Sequence, residues 1–183
     1  MKRILLGVPA VLILACVTSA SADGGTPTKG SFDWATNVVK DYIWNPGAHL
    51  SHFNGIVDRD GLLMMGCYWT LVFTDADGNE SKCWDVYYNE NVKPVDHFYK
   101  PGPEIIYDNE RIRRLMAPVL QYLDDNYEEG TYCFSLYAHF PHADFPEALI
   151  FSVECWDEDG YVFSTFVDTE TYEILQTETS TLR

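Results

Sequence analysis

The chain has 183 residues, 46% of them hydrophobic and 15% aromatic, and a formal charge of −16. That length suits one ordinary domain or two small ones. The charge argues against nucleic acid, whose phosphates need clustered Lys and Arg, and against anionic membrane surfaces. A basic partner would be drawn in by such a field, although solubility outside the cell also accounts for it.

Lys2 and Arg3 precede a short apolar run, Ile4 to Ala15, and Ala20-Ser21-Ala22 follows with the small-x-small pattern of a cleaved leader. Residues 1–22 therefore read as a signal peptide cut between Ala22 and Asp23, and the expected location is periplasmic or extracellular. The alternative takes Ile13-Leu14-Ala15-Cys16 as a lipobox, with a lipid anchor at Cys16. The leader's apolar run falls short of the roughly 20 residues needed to span a bilayer, and no later stretch reads as a transmembrane segment.

Residues 23–30 are rich in Gly, Thr and Pro and read as a flexible lead-in. Ser31 can cap a helix carrying Phe32, Ala35, Val38, Val39 and Tyr42 or Ile43 on one side, stopped by Asn45-Pro46-Gly47. His49 to Val57 is a weakly patterned strand. Leu63 to Thr74 and Glu80 to Tyr88 pattern as a hairpin around Asp75-Ala76-Asp77-Gly78, and Val92 to Phe98 as a fourth strand. Lys100-Pro101-Gly102-Pro103 breaks regular structure, so residues 31–99 form a first unit and 100–107 a linker. In residues 108–183, Asp108 or Asn109 caps a helix with Ile112, Leu115, Met116, Val119, Leu120 and Leu123 inward. Pro118 predicts a kink there, or two short helices. Thr131 to Phe140 reads as a strand and His139 to Pro146 as a polar loop, and Glu147 to Gln176 supplies three more strands.

Both units run helix, strand, long hairpin, short strand. The expected fold is therefore α+β, with two tandem units, each a helix on an antiparallel sheet of three to four strands. A three-residue loop with Gly160 left-handed sets Cys155 opposite Phe163, Val153 opposite Thr165 and Phe151 opposite Val167. The other face of that hairpin would carry Ile150, Trp156, Val162 and Phe166, too apolar for a plainly wetted surface and hence the candidate binding face. In the first hairpin, a loop of Ala76-Asp77-Gly78 sets Cys67 opposite Tyr87 and Cys83 opposite Leu71. The two thiols are then roughly 13 Å apart along the strands, out of disulfide range. Cys133 and Cys155, on neighbouring strands, are the expected bridge in an oxidising compartment.

Chemistry is sparsely signalled. His49 and His52 form one His-x-x-His pair, and His139 and His142 another, with Asp144 beside the second. Both pairs invite a metal reading, with His139, His142 and Asp144 the candidate ligands, but a metal needs three or four ligands in fixed geometry, so no metal and no cofactor is expected. The Asp-x-Asp-Gly turns lack the spacing of a calcium loop. No Gly-x-Ser-x-Gly, His-Glu-x-x-His or phosphate loop occurs, and a non-enzyme is expected.

The run Phe151 to Tyr161, followed by Phe163 to Leu175, resembles the C-terminal part of PepSY domains, whose ending reads V-D-x-x-T-G-x-(V/I)-L. Val167, Asp168, Thr171, Ile174 and Leu175 match it, and Tyr172 stands where the family has Gly. In the first unit, Tyr88-Asn89-Glu90-Asn91 and Val95 take the corresponding places. The tandem architecture is also similar to that of secreted β-lactamase-inhibitor proteins, though their Gly-Met-Thr helix start is absent here. Both resemblances imply a non-catalytic exported module that binds another extracytoplasmic protein, with restraint of a peptidase as one form. The alternative is an exported module binding a small molecule or a metal.

Overall fold

The computed structural model describes residues 26–96, 99–139 and 149–180. The expected leader, the Ala22–Asp23 cut, Cys16, His142 and Asp144 lie outside the described residues. The elements are α1 (Phe32–Val39), continued by a 3-10 turn at Lys40–Tyr42, then β1 (His49–Val57), β2 (Tyr68–Thr74), β3 (Ser81–Tyr87) and β4 (Val92–Val95). After these come α2 (Asn109–Asn126), β5 (Cys133–His139), β6 (Ile150–Asp157), β7 (Gly160–Asp168) and β8 (Ile174–Thr179).

The expectation of two helix-on-sheet units is overturned. All eight strands form one antiparallel sheet in the order β4-β3-β2-β1-β5-β6-β7-β8. The reason lies in β1, which is bonded on both sides: Phe53 faces Leu71 of β2 and also Ala138 of β5. Gly55 likewise sits between Trp69 and Leu136. A strand with two partners cannot be the edge of a separate sheet.

Both helices cover the same face. Ser31 caps α1 by accepting from the Trp34 amide, and Asp108 caps α2 by accepting from the Arg111 amide. Phe32 of α1 packs on Phe53 and Trp69, with ring centroids 4.6 and 5.4 Å away. Ile112, Leu115, Met116, Val119 and Leu123 of α2 join the same cluster as Phe134, Leu136, Phe151, Val153 and Phe163. Tyr107 ties the two ends together, 4.9 Å from Phe53 and 6.3 Å from Phe151. The helix expected to kink or split at Pro118 continues through it. The carbonyl left without its helical donor belongs to Arg114, on the exposed side.

Residues 100–107 are fastened to the sheet. Gly102 donates to Thr74 Oγ1 and its carbonyl meets His49 Nε2, while the Ile105 amide donates to the Leu50 carbonyl. Ile105 is then buried in the core.

The hairpin registers differ in detail from expectation. In β6–β7 the pairs Cys155–Phe163, Val153–Thr165 and Phe151–Val167 form, but a bulge follows, so that Trp156 faces Tyr161 and Asp157 faces Gly160. The turn is one residue tighter than a three-residue loop, and Val162 is the extra residue. In β2–β3, Asp75 Oδ1 accepts from the Asn79 and Glu80 amides, lengthening the loop by one. Leu71 then faces Trp84, and Cys83 faces Val72.

Candidate functional site: the open face of the sheet

Register assigns every strand residue to a face, because directly opposed residues point the same way and neighbours along a strand alternate. Phe53, Leu71 and Phe151 define the helix-covered face. The opposite face carries a cross-strand row running through the whole sheet: Lys93, Asp85, Thr70, Asn54, Tyr137, Ser152, Phe166, Gln176. Beside it lie Tyr87 and Tyr68, then Ile56, Ser135, Glu154, Ser164 and Glu178.

No helix among the described residues covers this second face. Ile56, Tyr68 and Trp156 on it are 38%, 40% and 36% exposed. Tyr68 and Tyr87 have ring centroids 5.0 Å apart, and Trp156 and Tyr161 meet edge to face at 5.5 Å. Tyr99 lies over one end, 5.3 Å from the His52 ring and hydrogen-bonded to the Asn54 side chain. The large rings are thus partly exposed here, beside Ser, Thr and Asn side chains of the same face.

The electrostatics are shaped by partial burial. Desolvation raises the Asp85 carboxyl, against a 2.8 Å hydrogen bond donated by Thr70 Oγ1 and the nearby Lys93 charge. The Asp85 charge, and burial after it, raise the Tyr68 phenol. Burial raises Tyr137, and the Glu154 charge adds to it. Lys93 Nζ lies 4.8 Å from the centre of the Tyr87 ring.

The predicted binding residues divide. Trp156 and Phe166 lie on the open face as expected from alternation, and so does Ile150, which is fully buried there. Val162 does not: the bulge turns it into the core, where it is 1% exposed. The missed members are those of the first hairpin and of the two central strands. Their alternation was visible in Tyr68, Thr70 and Val72, but the face they share with Trp156 depends on the β1–β5 pairing.

The Cys133–Cys155 bridge is not formed. Cys133 faces Trp156 while Cys155 faces Phe134, so the thiols sit one register step apart on opposite sides of the sheet. Among the described residues, no cysteine is joined in a disulfide. His139 ends β5 opposite Ile150. His49 and His52 do not converge, since one meets the Gly102 carbonyl and the other packs at a tilt against the Tyr99 ring. Among the described residues, no group of three or more His, Cys, Asp or Glu is placed to hold a metal ion. The turn carboxylates serve their own backbones: Asp157 Oδ1 accepts from the Asp159 and Gly160 amides, as Asp75 does in its loop. A cleft of about 580 Å³ lies beside that turn, between Glu128–Tyr132 and Asp157–Asp159. No helix among the described residues is long and apolar enough to cross a membrane.

Tyr172 in the β7–β8 turn has φ +60°, and Glu90 in the β3–β4 turn has φ +67°. Both turns thus place a left-handed residue where glycine is the easiest occupant. No family model, curated protein or solved structure matches this chain.

Proposed function

We propose that this chain is an exported, non-catalytic module that binds another extracytoplasmic protein through the open face of its sheet. Restraint of a peptidase is the form of binding that the PepSY resemblance suggests. The observation that carries the reading is the asymmetry of the sheet. One face is sealed by two helices, while the other leaves Ile56, Tyr68 and Trp156 more than a third exposed. Exposed rings gathered on one flat surface mark an interaction site more often than they occur by chance on a monomer.

The test is affinity capture from the native envelope fraction with wild type, Ile56→Asp and Tyr68→Ser. A specific partner retained by wild type and lost by both variants, with unchanged thermal melts, supports the assignment. Recovery of no partner, or equal recovery by all three proteins, refutes it.

A further inference from the structure

On the open face, Glu154 of β6 sits between two serines, with Ser135 directly opposite on β5 and Ser164 directly opposite on β7. Four aromatic residues surround it. Trp156 is the next same-face residue along β6, Tyr161 pairs with Trp156, and Tyr137 and Phe166 are the diagonal neighbours, both facing Ser152. Diagonal positions are about 7–8 Å apart, within reach of aromatic side chains. The tyrosine hydroxyls are already committed. The Tyr161 hydroxyl lies 3.0 Å from Ser164 Oγ and 3.2 Å from the Glu178 carbonyl, sharing its one proton between them, and Tyr137 is hydrogen-bonded to Ser135. Among the described residues, the half-buried Glu154 carboxylate has neither an ion-pair partner nor a hydrogen-bond donor.

The same sheet shows how such a group is completed. At the other end, Asp85 also stands beside aromatic rings, Tyr68 and Tyr87, and accepts from Thr70 Oγ1. There the chain supplies its own cation. Lys93 faces Asp85 across the β3–β4 pair and lies over the Tyr87 ring, where its charge acts on the carboxylate without closing to ion-pair contact. A hydroxyl donor, rings and a nearby cation all attend Asp85, whereas among the described residues Glu154 has the rings but neither a donor nor a cation. A partly desolvated carboxylate favours a cation strongly, and the surrounding rings offer π faces to the same group.

We propose that the Glu154 site is the anchor point of the open face and that it receives an arginine side chain of the partner protein. Arginine fits better than lysine, because its planar guanidinium can bond a carboxylate with two N–H groups while stacking on rings. The −16 charge of the chain favours approach of a basic surface. This inference rests on the proposed function and narrows it to a partner bearing an exposed arginine.

The probe is acetyl-Gly-Arg-Gly-amide, titrated into the full exported chain and followed by the Trp156 indole N–H signal. The control peptide carries citrulline, which keeps the shape and removes the charge. A saturable shift is expected with arginine and none with citrulline, with affinity falling about tenfold or more in Glu154→Gln. That variant must keep the wild-type melt; if it does not, Glu154→Ser replaces it, with the same expectation. No saturable shift, or equal binding by the variant, overturns the inference. Capture from the envelope separates the two levels. A partner lost by Ile56→Asp but kept by Glu154→Gln sinks the arginine anchor and leaves the function standing. Absence of any partner sinks both.

Discussion

Replacing Gly55 with alanine should be among the most damaging single-methyl changes in this protein. A Cβ at Gly55 would lie 2.3 Å from Trp69 Cε3, 2.7 Å from Cζ3 and 2.9 Å from Cδ2. The indole lies flat across the glycine, and it cannot easily withdraw. Trp69 is fully buried, packs 5.4 Å from Phe32 and 6.1 Å from Phe53, and donates its Nε1–H to the Gly30 carbonyl at 3.0 Å. Overpacking a close-packed core costs about 1–3 kcal/mol, and breaking a buried hydrogen bond without replacement about 1–3 kcal/mol more. The combined loss of roughly 2–6 kcal/mol is a large part of a total near 5–15 kcal/mol. A melting temperature lower by about 10 °C is expected for a chain of this size. Urea unfolding followed by tryptophan fluorescence measures the loss, and a double-mutant cycle with Trp69→Leu assigns its cause. In the Trp69→Leu background the Gly55→Ala penalty should largely vanish. A loss below about 1 kcal/mol in wild type, or one unchanged by Trp69→Leu, would refute the reasoning.

Three further outcomes are expected. Asp168 Oδ1 accepts from the Glu170 amide at 2.7 Å and the Thr171 amide at 2.8 Å, which hold its carboxyl below the ordinary 3.8. Its stabilising contribution is therefore present above pH 3.8 and lost as pH falls below that value through the lowered one. Asp168→Ala should cost about 1 kcal/mol near neutrality, with a deficit that closes in acid; a deficit independent of pH would contradict this. The Tyr107 hydroxyl and Thr165 Oγ1 are buried without hydrogen-bond partners among the described residues. Tyr107→Phe and Thr165→Val should each leave stability unchanged or raise it by about 1 kcal/mol, and a clear loss in chemical denaturation would disprove that account. Burial pushes the Cys83 thiol up to about 12, so native-state labelling with a disulfide reagent should modify the half-buried Cys67 and Cys133 before Cys83 and Cys155. A Cys133–Cys155 bridge in non-reducing mass spectrometry would contradict the β5–β6 register.

Local chemistry made much of this protein legible in its sequence. Ser31 and Asp108 announce the two helices, because a side-chain oxygen before an apolar-periodic run satisfies the free amides of the first turn. The pairs from Cys155–Phe163 to Phe151–Val167 followed from alternation and an acidic Asp-Gly turn. Trp156 and Phe166 could be placed on a non-core face for the same reason. These features depend on residues close together along the chain.

Only the tertiary structure decided the rest. Val162 alternates as a surface residue and is buried because one bulge shifts its register. Adding one residue to the β2–β3 loop changes the partner of every residue in that hairpin. Most of all, β1 pairs on both sides and fuses what reads as two units into one sheet. Its pattern is weak because Gly55 contributes no side chain, and it needs none: the Trp69 ring from the neighbouring strand covers that position. Alternation tells which side of a strand is apolar, but the free backbone groups of a strand edge are alike for every residue. Which edge meets which, and therefore which aromatic residues share the open face with Glu154, is set by packing between distant parts of the chain.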